Sequence, residues 1–435
     1  MRLTSVAHLD LPPGPVLAYA VGVGHDEREL PVSFDQGIHV GKGHRPGSWM
    51  AVCVRWPRPV SPRDLSRAWL AVVGRHGTLR TVFSRDADDA VVLHQVEVEA
   101  GDWVEHPDLD RPPHEVVRTL LDQTCAPFSR PSHELLLLGK DTEEPAIIIG
   151  LDHAHTDAWS LMVLARDLAA CLDDVAAGRS PGVNLPPAPS FAEHTAALES
   201  MPPAPQRVSG RWSQILEAGG GAMPTFPLPL GEISPPVAEV VDVRDVFDSA
   251  QLEQFERVLR ARGLRMFPAA LSVLTRVFGE MSGQPLRAVL PVHSRHEDRW
   301  HSSVGWFITN AVIESTDPEP VACSVAIREA ISLGSYPLAP IMAPYGGMPS
   351  TPGMFAISWL DNRRLPVSID PALQAQHVSA VIRTDGVMIW FVVNASGMHL
   401  RCRYPDTPSA RASVGPWLDA VCRGLQTFHP DHPAT

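Results

Sequence analysis

Two histidines and two aspartates fall within six consecutive positions, 152–157, of the segment LDHAHTDAWS (151–160). Near pH 7 a neutral imidazole can take a proton from an attacking hydroxyl or amine, because its ordinary pKa is ~6.5. His153 and His155 are therefore candidate general bases. On an extended strand alternate side chains share a face, which places His153 and His155 together and turns Asp152 away. Asp157 stands where the next helix should begin, and a carboxylate there is stabilised by the helix dipole.

The same residues permit metal chemistry. His153-x-His155-x-Asp157 matches most of the His-x-His-x-Asp-His signature of metallo-β-lactamase-like zinc hydrolases, and histidine is the commonest zinc ligand. The position of the closing histidine is Ala158, and the motif lies a third of the way along the chain. A single histidine would most simply be a satisfied polar group at a helix cap. A cluster this dense, between an apolar strand and an apolar helix, favours chemistry.

The elements that hold the cluster are legible. AIIIGLDH (146–153) is a short apolar run rich in β-branched residues and reads as a buried strand. After the polar turn, WSLMVLARDLAACLDDVAAG continues with Leu161, Leu164, Leu168 and Leu172 at helical intervals and Gly178 as a stop. Chemistry often sits at such a junction, because two rigid elements hold the turn. Upstream, WMAVCVRW (49–56), TLRTVF (78–83) and VVLHQVEV (91–98) read as strands. Ser61–His76 reads as a helix, with Ser61 as N-cap and Pro62 at the first turn; another helix is expected over about Pro113–Cys125. Proline-rich sequence from Ser180 and a Gly/Pro stretch over 219–237 mark a linker, set at 186–237, between lobes at 1–185 and 238–435. The second lobe has strand patterns at 238–247, 287–292, 304–314, 355–360 and 386–395. Helical patterns lie at 249–263, 270–281 and 409–428. An α/β protein of two similar lobes is expected, with no repeat at a fixed period.

Composition narrows the function classes. With 435 residues, 44% hydrophobic and 20% charged, the chain can bury more than one core. The net charge is -13 and no Lys/Arg run occurs, so nucleic acid and anionic membrane surfaces are not expected partners. Only Lys42 and Lys140 are lysines, and with 43 prolines this fits a GC-rich bacterial genome. The six cysteines (Cys53, Cys125, Cys171, Cys323, Cys402, Cys422) form no C-x-x-C pair, as in a reducing compartment. The N-terminus lacks a signal-peptide pattern, and no apolar run reaches the ~18 residues of a membrane span. A cytoplasmic protein is expected.

The segment also resembles the His-His-x-x-x-Asp-Gly signature of the condensation-domain superfamily, which shares the chloramphenicol acetyltransferase fold. Within it, the chain is most similar to stand-alone polyketide-associated acyltransferases and free-standing condensation enzymes of peptide synthetases. Asp157, Trp159 and Ser160 anchor the alignment, and His153 falls on the second, catalytic histidine. Asp152 replaces the first histidine, and Ala158 replaces the glycine. Five further segments fit in the family's order: PVSFDQ (31–36), RHGTLRTVF (75–83), LPVHSR (290–295), SVGWFITN (303–310) and ISWLDNRRLP (357–366).

The resemblance implies two acetyltransferase-like lobes forming a pseudo-dimer around a central tunnel. It implies acyl transfer from a coenzyme A or carrier-protein thioester to a small-molecule hydroxyl or amine, with His153 as base and no metal or other cofactor. It also implies a buried Asp157–Arg295 pair, and it offers Trp159, Gly305 and Trp306 as motif or tunnel positions. His155 has no counterpart in the signature and is expected to be a tunnel-lining or core residue. A monomer is expected. Asp152 and Ala158 motivate a rival, a catalytically inactive scaffold or docking protein; the zinc hydrolase stands third.

Overall fold

The computed structural model describes residues 2–107 and 111–428. It divides into two compact units. The first comprises Met1–Met201, Arg295–Ile308 and Leu365–Val381; the second comprises Pro202–Ser294, Thr309–Arg364 and Ile382–Thr435. The units are thus interleaved in sequence, not the contiguous lobes 1–185 and 238–435 that the sequence suggests. The reason is where the later segments find partners. Strand Gln376–Ser379 pairs on one side with Arg2–Ser5 and on the other with Trp49–Arg55. Arg295 bonds Asp157, and the Ser303 hydroxyl donates to the Pro189 carbonyl. The stretch expected as a linker, 186–237, is not bare chain. It holds helices Phe191–Glu199, which opens with a Ser190/Glu193 capping box, and Gln206–Ala218.

The first unit is built on a seven-stranded sheet in the order Arg2–Ser5, Gln376–Ser379, Trp49–Arg55, Ala146–Asp152, His133–Leu138, Val16–Tyr19 and Trp103–His106. Strand Ala146–Asp152 lies at its centre, buried throughout, and the register sets Trp49 opposite Asp152 and His133 opposite Leu151. One face carries the helices Pro62–Arg75 and Ala158–Ala176, whose Leu65, Trp69, Val72, Leu161, Leu164 and Leu168 share a core with Ile147, Ile149 and Leu151. On the other face, helix Pro113–Thr124 comes so near that a Cβ on Gly150 would fall 2.4 Å from Leu121. Strands Gly22–Leu30, Val91–Glu99 and Thr81–Arg85 form a separate three-stranded sheet.

The second unit also has a seven-stranded sheet, in the order Ile308–Ser315, Leu286–His293, Phe355–Asp361, Val387–Asn394, Gly397–Pro405, Val237–Asp248 and Arg383–Thr384. Helices Ser249–Arg260, Met266–Ser282, Pro320–Leu333 and Pro408–Gln426 accompany it and contribute Phe255, Leu271, Ile327 and Trp417 to its core. The α/β class expected from the sequence is therefore realised in two units of like construction.

Two local departures have clear causes. The residues Val304–Phe307, expected to open a strand, precede it; the strand starts at Ile308. Their backbone groups are spent on side chains, because Gly305 bonds the Ser160 hydroxyl and Phe307 N–H donates to Asp157. Likewise TLRTVF begins as a 3-10 turn, Gly77–Arg80, before strand Thr81–Arg85. Among the described residues, no helix is long and apolar enough to cross a membrane.

Candidate active site

The central strand ends at Asp152 because that side chain caps the next turn. Its carboxylate accepts from Ala154 N–H at 2.9 Å, starting a 3-10 turn over His153–His155. The backbone is tied at the same point to both neighbouring segments, with Asp152 N–H donating to Ser132 O and His153 N–H to Ser48 O, each at 2.9 Å. A third tie comes from helix Phe34–Gly41, whose Gln36 amide donates to Ala154 O at 2.8 Å. That glutamine closes the PVSFDQ segment. The segment's Ser33 and Gln36 form a capping box that fixes the helix aiming the Gln36 amide at the turn.

Asp157 then opens helix Ala158–Ala176, accepting from Ser160 N–H at 2.7 Å. Its carboxylate also takes two bonds from Arg295, at 2.7 and 3.3 Å, and one from Phe307 N–H at 3.0 Å. The same guanidinium donates to the Ser160 hydroxyl at 2.7 Å and to Ser303 O at 3.2 Å, and it lies 3.9 Å from the Phe307 ring centroid. Both charged residues are buried, Asp157 wholly. Burial alone would raise the aspartate's pKa, but Arg295's charge and hydrogen bonds outweigh it and hold the carboxyl below its usual range. The Ser160 hydroxyl is fully used, accepting from Arg295 and Gly305 N–H and donating to Gly305 O. Gly305 has to be glycine, since a Cβ there would fall 2.4 Å from the Phe191 ring. The Arg295–Asp157 pair expected from the resemblance thus welds segment 295–307 to the helix start.

His153, which follows the strand, is half-buried. Its Nδ1 lies 2.9 Å from Thr156 O. A carbonyl can only accept, so Nδ1 carries the proton and Nε2 keeps the lone pair. The ring stacks on Trp306 at 4.1 Å between centroids, with 25° between planes. Burial pushes the His153 pKa down to about 4, and the charge that His39 can carry pushes the same way. At neutral pH the ring is therefore uncharged, with Nε2 unprotonated.

Ala158, Trp159 and His155 complete the set of expected residues. Ala158 is the first helical residue, and among the described non-glycine residues only Asp89 and Gln374 have positive φ. The position therefore accommodates a Cβ without strain. Trp159 donates from Nε1 to His301 O at 3.1 Å and lies 4.9 Å from the Arg295 guanidinium. His155 does not share a face with His153. It points at the Thr78 and Thr81 hydroxyls and the Phe83 ring, and is buried. The expectation of a shared face fails because the chain at 153–155 is a 3-10 turn, in which residues two apart diverge by ~240°.

The same divergence removes the zinc arrangement. His153 and His155 point apart and both Asp157 oxygens are occupied, so the three side chains do not converge on one point. Among the described residues no group of three or more His, Cys, Asp or Glu is disposed to hold a metal ion.

Two residues that the sequence does not single out complete the surroundings. His39, on helix Phe34–Gly41, places Nε2 3.1 and 3.2 Å from the two Asp152 oxygens. Arg45 donates to its Nδ1 at 2.7 Å and to its carbonyl at 3.0 Å. Burial would raise the Asp152 pKa, but His39 more than offsets this and the carboxyl titrates below its usual range. The available signal is slight, a histidine three residues after the motif glutamine.

Comparison with known proteins gives one consistent result. The condensation-domain family description matches residues 27–329. Acyltransferase PapA3 of Mycobacterium tuberculosis is 23% identical over 447 aligned positions, covering 96% of this chain and 90% of that protein. Phosphinothricin tripeptide synthetase PhsC of Streptomyces viridochromogenes is 27% identical over 300, covering 65% of this chain and 27% of that much larger protein. Among solved structures, PapA2 acyl transferase superposes with a TM-score of 0.82 at 19% identity, over 98% of this chain and 99% of that one. The first condensation domain of the calcium-dependent antibiotic synthetase gives a TM-score of 0.72 at 15% identity, over 94% and 98%. The chain belongs to the condensation-domain family and is an acyltransferase of that family.

Proposed function

We propose that the protein transfers an acyl group from a thioester, carried by coenzyme A or a phosphopantetheinyl carrier protein, to a hydroxyl or amine of a small-molecule acceptor, with His153 as general base. The observation that carries this reading is the tautomer of His153. With Nδ1–H held by Thr156 O, Nε2 is the free nitrogen, in a ring that stays neutral at physiological pH.

The proton inventory closes on this one residue. Nε2 takes the proton as the acceptor oxygen or nitrogen attacks the thioester carbonyl, and the C–S bond breaks as the new C–O or C–N bond becomes the product. The imidazolium so formed is a strong acid, because its surroundings disfavour its charge, and it returns the proton to the departing thiolate. No serine or cysteine nucleophile is required, and the thioester itself supplies the activated carbonyl. Acyltransferases and peptide synthetases among the relatives support a place in specialised-metabolite or complex-lipid assembly.

The test is free-thiol release from a panel of acyl-coenzyme A and acyl-pantetheine donors, with and without pooled alcohols and amines. Release stimulated at least several-fold by an acceptor, with matching ester or amide product, is the expected result. Thiol release equal with and without every acceptor, accompanied by free acid, would replace transfer with thioester hydrolysis.

A further inference from the structure

The family signature begins with two histidines, and this chain has Asp152 at the first. The carboxylate does not stand alone. His39, 113 residues earlier in the chain, reaches both of its oxygens. The two hydrogen bonds of His39 also agree on its tautomer. Arg45 can only donate, so Nδ1 accepts and Nε2–H points at Asp152. Arg45 additionally grips the carbonyls of His39 and Gly43, which closes the loop after the helix onto the ring.

From this position His39 touches the surroundings of His153 in two ways. Through Asp152 it steadies the acceptor for Ala154 N–H, and hence the turn that carries His153. Directly, its ring meets the Trp306 ring edge-on at 5.2 Å, and Trp306 is the surface on which His153 stacks. The two imidazole centroids are 6.0 Å apart. We propose that His39, fixed by Arg45 and Asp152, is the positioning residue for His153, and that the His39–Asp152 pair does in this chain the work of the signature's first histidine.

The inference rests on His153 being the base. It makes Asp152 a matched substitution, since an aspartate at this position works because His39 supplies the proton that the carboxylate binds. Among the described residues, the charged and titratable groups that act on His153 are His39 from helix Phe34–Gly41, Asp152 from the strand and Asp157 from the helix cap. Charge on His39 disfavours charge on His153, and the two carboxylates favour it. Removing the His39 ring takes from the Asp152 carboxylate the donor that balances it and leaves that negative charge to favour charge on His153, whereas a purely structural loss leaves the proton affinity of His153 in place.

The experiment uses the full chain and compares wild type with His39→Leu, His39→Gln and Asp152→His. His39→Leu should lower kcat ~10–100-fold, the range that loss of a partner orienting a ligand histidine costs at metal sites, with the donor KM unchanged. His39→Gln retains a donor toward Asp152 and should recover most of kcat. Asp152→His restores the family signature yet should lose activity, because it sets two imidazoles against each other and removes the acceptor. Nitrogen-15 spectra of the imidazoles give a second readout that does not depend on turnover. The His153 signals, identified by their absence in His153→Ala, should move in His39→Leu. Wild-type activity in His39→Leu, or an Asp152→His enzyme as active as wild type, would overturn the proposal, as would unmoved His153 signals. A wild type that releases no thiol with any donor would instead count against the acyl-transfer reading, and the spectra would still decide the positioning role.

Discussion

Replacing Arg295 with methionine while Asp157 stays in place should destabilise the protein by ~3–5 kcal/mol. The guanidinium is the counter-charge to a wholly buried carboxylate, and it also serves the Ser160 hydroxyl and Ser303 O. Without it a charge is left in a medium that cannot solvate it. Asp157→Asn also leaves a buried charge, the Arg295 guanidinium, but should cost less, because an amide oxygen can still accept from Arg295, Ser160 N–H or Phe307 N–H. The Asp157→Asn/Arg295→Met double variant should be clearly more stable than the sum of the single effects predicts, since no unpaired charge remains. Denaturant unfolding of the four proteins gives the coupling. Strict additivity, or single losses below ~1 kcal/mol, would mean that the pair is incidental. Folded domains have only ~5–15 kcal/mol in reserve, so either single change should also depress activity without touching substrate.

Mild acid should unfold the protein, through buried histidines that the proposed transfer does not use. His133, His155 and His377 are each buried and uncharged, with pKa values pushed by desolvation to about 4. In the unfolded chain the same rings titrate near ~6.5. Between these values the unfolded state binds more protons than the folded one, so stability is complete above ~6.5 and falls as pH drops toward 4. Each ring can cost up to roughly 3 kcal/mol over that range. Three together rival the whole reserve of a folded domain. Three buried aspartates do not share this window. Asp152, Asp157 and Asp167 are held below their usual range, so their contribution is lost only at more acid pH. Circular dichroism against pH should show cooperative unfolding between about pH 4 and 5.5, coupled to uptake of more than one proton. His377→Gln, which keeps a donor for Ala158 O, should move the midpoint to lower pH. Unchanged stability down to pH 4 would show that these rings are not buried neutral.

Local pattern carries much of the fold. The strand ending at Asp152, the helix from Ala158, the Pro62–Arg75 helix and most second-unit strands derive from apolar period and caps, which are written within a few residues. Interleaving of the units is hidden, because it depends on what residues such as Arg295, Ser303 and Gln376–Ser379 find more than a hundred positions earlier. The late start of the strand at Ile308 is the same kind of miss. Nothing local in VGWF says that its backbone will be claimed by Ser160 and Asp157.

The site divides along the same line. The Asp157–Arg295 contact is legible through the resemblance, since the residues at either end stand in its motifs. The orientation of His153 and His155 is misread by continuing the strand one turn too far, although Asp152 two residues before Ala154 N–H is a cap in its own right. His39 escapes notice for a physical reason. Its meaning lies in a partner 113 positions away, and on its own helix it is one polar residue beside a buried valine.

The most direct measurement of the central claim compares wild type and His153→Ala in acceptor-dependent thiol release with the best donor, alongside thermal unfolding. The account predicts loss of ~10²–10⁴-fold in the rate of transfer, the usual contribution of a general base, at an essentially unchanged melting temperature. Transfer by folded His153→Ala within a few-fold of wild type would contradict it, and the base would have to be sought elsewhere.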